Sequence, residues 1–315
     1  MEDRRRMAKP VTLKIAIGPY EHVRALRDGS IRSERVRFDF VEVDPITRAF
    51  RRMARDLEFD VSEMAITTHA LAHAFEKPIT ALPIVLSRDF HHGSVVCPNG
   101  SSLRGPTDLA GRRVGVRAWS QTTGVWIRGI LKAEYGVEPS SMTTVTEEDA
   151  HVREYQDPPY VVRAAAGKTL RGMLNEGEID AAIALRPLPK PGEYRTVIPD
   201  ADAAAAAWYR KTGVYPVNHV VCVKTSLLRE HPWLGAELLS LFAAAKERAR
   251  AQAPAPAAGS VQAKLRALVG DDALPYGMAR NRAGIEKLLR FAAEQTLTPR
   301  IYRPEELFDP GTLSS

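Results

Sequence analysis

Apolar and polar positions follow two rhythms along the first third of the chain. Val11 to Gly18 (VTLKIAIG) and Val36 to Val43 (VRFDFVEV) alternate with period two, as strands with one buried face do. Phe59 to Ile66 and Ile79 to Leu86 are apolar runs of strand length. Between these strands the helical period returns over Tyr20 to Asp28, Pro45 to Leu57 and Thr67 to Phe75. Strands alternating with helices predict an α/β fold with a mostly parallel sheet.

The second third repeats this grammar. Val95 to Asn99 is extended and ends in turn residues. Asp108 opens a helical turn, Val114 to Arg117 reads as a strand, and Ser120 to Leu131 as a helix with Ser120 as its N-cap. Ala164 to Asn175 reads as a helix, with strands at Ile179 to Leu185 and Val220 to Val223. A long helix over His231 to Ala251 carries Leu234, Leu238, Leu241 and Phe242 on one face. The link Ala253 to Gly259 (APAPAAG) follows, then helices over Val261 to Val269 and Asn281 to Gln295, and a tail over Pro299 to Pro310.

One segment occurs twice. RRMARDLEFDVSEM from Arg51 and RGMLNEGEIDAAIA from Arg171 align at an offset of 120, matching Arg51 with Arg171, Met53 with Met173, Glu58 with Glu178 and Asp60 with Asp180. Each copy reads as helix, acidic turn and strand, with the Asp opening the strand. Two such units predict two α/β lobes of similar build, with a cleft between them suited to a small ligand. The expected lobes are residues 11–97 with 224–310, and residues 98–223. Two crossings, near 95–100 and 216–224, would allow hinge closure.

Composition narrows the function. The 315 residues carry a net charge of +6, with no basic stripe interleaved with aromatics, so nucleic acid is not an expected partner. No apolar run reaches the length of a membrane span, so no membrane partner is expected. Cys97 and Cys222 fit no zinc or redox spacing and read as small buried hydrophobes. The start, MEDRRR, has charge but no apolar core of a secretory signal, which gives the expectation of a cytoplasmic protein. Phosphate-loop and Gly-x-Ser-x-Gly patterns are absent, and no metal-ligand spacing is seen.

Candidate chemistry gathers at predicted strand ends. Arg88, His91 and His92 follow an apolar strand at its carboxyl end, which faces the crevice in open α/β sheets. Ser62 and Glu63 are polar residues inside an apolar strand. Glu63 reads either as a partner for a histidine or proton carrier, or as an edge carboxylate in water. Ser120, Gln121 and Thr122 open a helix whose free N–H groups suit a carboxylate. Arg186 ends the echoing strand. Asn218 and His219 begin the returning strand, where His219 reads as a cleft residue or a satisfied core histidine.

Taken together, FDVSEMAI at Phe59, LSRDFHHGSV at Leu86, DLAGRRVGVRAWSQTTGVWIRGILKAEYGV at Asp108, GKTLRGMLNEGEIDAAIALRP at Gly167, WYRKTGVYPVNHVVCVK at Trp208 and the segment from Tyr276 to Phe308 resemble the 4,5-dihydroxyphthalate decarboxylase family. The resemblance runs from Val11 to Pro310. It implies a two-lobed type 2 periplasmic-binding-protein-like fold with a ligand cleft, and a cofactor-independent carboxy-lyase acting on a small anionic aromatic substrate. That substrate is either a phthalate-type dicarboxylate or a hydroxybenzoate. On this reading His92 and His219 share the acid and base roles, Glu63 supports them, and Tyr20, Ser62, Arg88, His91, Ser120, Gln121, Thr122, Arg186 and Asn218 bind substrate. Assembly into a homo-oligomer stays open. The rival reading is a solute-binding protein that holds a small anionic ligand without turnover.

Overall fold

A computed structural model describes residues 9–185 and 192–315. Eleven strands lie among these residues: β1 (Val11–Ala16), β2 (Val36–Phe40), β3 (Val61–Ala65), β4 (Ile79–Arg88), β5 (Val95–Pro98), β6 (Arg113–Val116), β7 (Thr143–Thr146), β8 (Val161–Arg163), β9 (Ala181–Ile183), β10 (Tyr194–Thr196) and β11 (Val217–Lys224). They form two sheets, ordered β2-β1-β3-β11-β4 and β10-β5-β9-β6-β7-β8. Each sheet is parallel except for one inserted strand, β11 in the first and β5 in the second, antiparallel to both of its neighbours.

The inserted strands set where the chain changes sheet. Val95–Cys97 belongs to the second sheet rather than the first, and Val217–Val223 to the first rather than the second. The chain therefore crosses between Arg88 and Val95, and returns between Thr196 and Val217. Both switches lie a few residues before the expected positions, because each arriving strand pairs at once in the sheet it enters. β7 and β8 come from a stretch whose sequence gives no clear period.

The repeated segment is a repeated structure. Asp60 Oδ2 accepts from the backbone N–H of Lys14 at 2.9 Å, and the Asp60 N–H donates to the Lys14 carbonyl at 2.8 Å. Asp180 makes the same pair of bonds to Arg113, at 2.9 and 2.8 Å. Each Asp thus ties the start of its strand to a parallel neighbour, β3 to the middle of β1 and β9 to the start of β6. Met53 and Met173 are buried on the preceding helices, Thr47–Asp56 and Leu170–Asn175. The second helix is shorter than its apolar pattern suggests. Cys97 and Cys222 are buried free thiols.

Candidate active site in the cleft between the sheets

Parallel strands of both sheets aim their carboxyl ends at one cavity of about 1140 Å³. Its wall takes Ala65 from the end of β3, Ser87 and Arg88 from the end of β4, and Asn218 and His219 from the start of β11. The opposite wall takes Arg117 and Ala118 after β6 and Ala184 and Leu185 after β9. Because β11 runs antiparallel beside β3, its first residues meet the last residues of β3, with His219 in register with Ala65. Trp126, in the helix Thr122–Tyr135 of the other sheet's layer, donates its indole N–H to the Val217 carbonyl at 2.9 Å and fixes that start.

Glu63 is wholly buried in β3 and accepts three hydrogen bonds. Oε2 takes the Gly18 N–H at 3.0 Å, while Oε1 takes the Tyr20 hydroxyl at 2.7 Å and His219 Nδ1 at 2.7 Å. Burial alone would raise the Glu63 carboxyl. The bonds from His219, Gly18 and Tyr20 outweigh it and hold the group below the ordinary carboxylate range. The Tyr20 phenol moves the other way, raised by burial and by the Glu63 charge. His219 lines the cavity with 19% of its side chain exposed, and Nδ1 is committed to Glu63, so Nε2 is the nitrogen left for a ligand. The Phe50 ring meets His219 edge-on, with centroids 4.9 Å apart.

The expected residues divide. Arg88, His91, Ser120, Gln121, Thr122, Asn218 and His219 all line the cavity. His91 is held neutral by burial, its pKa lowered to about 4, and its Nε2 lies 2.8 Å from Asn218 Oδ1. The Arg88 guanidinium donates to the Tyr215 carbonyl and to Asn281 Oδ1 and stacks on the Tyr215 ring, which anchors it at the rim. The helix that faces the cavity begins at Thr122 with Gln121, not Ser120, as its N-cap, and no side chain caps it. Ser120 serves through its carbonyl, which accepts from Thr67, and Thr122 Oγ1 lies 2.6 Å from Thr67 Oγ1.

Three expected residues are placed differently, and a fourth is not described. His92 is 1% exposed and absent from the cavity wall, facing Trp208 with ring centroids 6.1 Å apart. In the short 3-10 turn that it begins, adjacent residues diverge, so only His91 of the pair turns inward. Ser62 is buried off the wall and donates to the Glu63 carbonyl. Tyr20 stands behind Glu63 and touches the site through that carboxylate alone. Arg186 lies outside the described residues.

Several wall residues carried little sequence signal. Arg48, Arg51 and Arg52 line the cavity from the helix Thr47–Asp56. Arg51 and Arg117 converge on Glu148 Oε2, at 3.0 and 3.4 Å. With Arg88 these side chains make the wall strongly cationic, as an anionic ligand requires. Arg117 follows the strand-end rule that singled out Arg88. His151 comes from a loop without periodicity, and nothing local in the sequence marks it. Among the described residues no group of three His, Cys, Asp or Glu is arranged to hold a metal ion.

Comparison with known proteins agrees with this geometry. No family model matches the chain. A 4,5-dihydroxyphthalate decarboxylase of Comamonas testosteroni is 30% identical over 332 aligned positions, covering 96% of this chain and 98% of that protein. A second protein of that name, from Pseudomonas putida, is 31% identical over 215 positions, covering 64% of this chain and 82% of its own length. Among solved structures, the periplasmic aliphatic sulphonate binding protein SsuA of Escherichia coli superposes with a TM-score of 0.58 at 13% identity, covering 97% of this chain and all of that one. The two sheets with their inserted strands are therefore a two-lobed, type 2 periplasmic-binding-protein-like fold, and the chain belongs to the 4,5-dihydroxyphthalate decarboxylase family.

Proposed function

We propose that the chain is a carboxy-lyase that converts 4,5-dihydroxyphthalate to 3,4-dihydroxybenzoate and carbon dioxide in this cleft. Both relatives bear the name of that activity. The observation that carries the reading is the Glu63–His219 pair, a buried carboxylate on one nitrogen of an imidazole that faces an arginine-walled cavity.

The chemistry follows from the substrate. One carboxylate stands para to a ring hydroxyl. A proton delivered to the carbon bearing that carboxylate forms a C–H bond from a ring electron pair, and positive charge moves toward the para oxygen. The bond to the carboxylate then breaks, its electron pair restores the aromatic ring, and carbon dioxide leaves. One proton is consumed in each turnover. His219 Nε2 supplies it as general acid, and Glu63 stabilises the imidazolium and fixes its orientation. The second carboxylate is held by arginines and by the free N–H groups at Thr122 and Thr123, where the helix begins.

The fold itself favours a second reading, capture of an anion without turnover, since the structural neighbour is a binding protein. A capture protein needs no proton donor. Release of carbon dioxide from 4,5-dihydroxyphthalate by the purified chain, lost on His219→Gln, supports the first reading. Tight binding with no carbon dioxide supports the second.

A further inference from the structure

His151 lies on the same cavity wall as His219, and one aromatic ring contacts both. Phe50 meets His219 at 4.9 Å and His151 at 6.1 Å, both edge-on. His151 is 6% exposed, and its Nδ1 lies 3.1 Å from the Thr68 hydroxyl on the helix Ile66–Ala74. Its backbone carbonyl accepts from Arg55 at 2.8 Å, which fixes the loop that carries it.

The two imidazoles sit in opposite fields. His219 has the buried Glu63 carboxylate hydrogen-bonded to its Nδ1. His151 is buried and faces the charges of Arg117, Arg51 and Arg55, so its pKa is lowered to about 3 and it stays neutral. A carboxylate on one ring and three arginines around the other suit the two imidazoles to different roles, proton donor and hydrogen-bond acceptor. His151 is an acceptor placed on the wall beside His219. Arginines only donate, His91 Nε2 is committed to Asn218, Glu148 Oε2 is taken by Arg51 and Arg117, and the Gln121 amide oxygen is another buried acceptor on the wall.

We infer that His151 receives the para hydroxyl of the ring while His219 delivers the proton to the ring carbon, so the cleft selects aromatic acids with a hydroxyl para to the departing carboxylate. This assignment rests on the decarboxylase reading. The Phe50 contacts keep the two imidazole centres no more than about 11 Å apart, short enough for one aromatic ring, with a hydrogen bond at either end, to reach both.

A weak base suits the task. The phenol is a poor acid until the ring carbon is protonated, and its O–H then becomes strongly acidic. The hydroxyl proton moves toward His151 as the C–H bond forms. It returns to oxygen when the C–C bond breaks and the electron pair re-enters the ring. The net consumption stays at the one proton from His219.

The test compares binding of 3,4-dihydroxybenzoate and benzoate by calorimetry, alongside carbon dioxide release from 4,5-dihydroxyphthalate. The wild-type chain is expected to prefer the dihydroxy acid by about tenfold or more. His151→Ala and His151→Gln are expected to bring that ratio near one and to slow turnover by about 100-fold, whereas His219→Ala keeps the ratio and loses turnover. Thr68→Val, which leaves the imidazole in place but removes its hydroxyl partner, should lower the ratio in the same direction. A ratio unchanged in a folded His151 variant overturns the inference, whatever the turnover. A His151-dependent ratio in a wild-type chain that releases no carbon dioxide keeps His151 as the hydroxyl reader and overturns the decarboxylase reading instead.

Discussion

The Glu63 carboxylate decides what His219 can do, and its three donors decide what Glu63 is. Glu63→Gln keeps the size of the side chain but removes the charge that stabilises an imidazolium. The expected result is a fall in kcat of about 100-fold with KM changed by no more than about twofold, read from steady-state carbon dioxide release. Tyr20 works through the same atom. It shares Oε1 with His219, so Tyr20→Phe removes one donor from the carboxylate that orients the imidazole. The kcat should fall by less than the loss expected for Glu63→Gln, with KM nearly unchanged. Glu63 and His219 were both legible in the sequence as polar residues inside apolar strands. Their contact was not, because it joins positions 156 residues apart through a strand that returns after the whole second sheet. The adjacent pair His91 and His92 was legible as a feature, but the turn that separates their directions leaves no periodic trace.

At the scale of elements, the strand-opening aspartates were the most legible feature, since the same short-range need recurs in each sheet. A parallel strand start exposes backbone N–H groups, and an Asp at that position satisfies one of them. Asp60→Ala and Asp180→Ala should each cost about 1–2 kcal/mol in urea unfolding. Neither residue lines the cavity, so turnover at saturating substrate should stay near wild type. The inserted strands were read with their neighbours in sequence rather than in space. Apolar character alone does not say which sheet a strand will enter, and β5 and β11 each join the sheet beyond the crossing. The helix at Thr122 was readable as an N-terminus aimed at the cleft, but its cap residue shifted by one, because no side chain there bonds back to the first turn.

For the whole molecule, the fold keeps several buried histidines neutral. His69, His91 and His92 are buried, and burial is the main cause that lowers each to about 4. The unfolded chain binds these protons from about pH 6.5 downward and the folded chain does not, so the stability they preserve is complete above that value and falls as the pH drops toward 4. Each is expected to cost about 2 kcal/mol at pH 5. The melting temperature should therefore be lower at pH 5 than at pH 7.5, and His92→Leu should narrow that difference with turnover unchanged. The same architecture gathers candidate groups from Arg48 to His219, distant in sequence, into one cationic cleft. The most direct test is to incubate the purified chain with 4,5-dihydroxyphthalate and measure carbon dioxide and 3,4-dihydroxybenzoate together, with His219→Gln beside it. The account predicts equal amounts of both products from the wild-type chain and a loss of about 100-fold or more in the variant. Saturable binding of the substrate without either product, or equal rates in the two proteins, would contradict it.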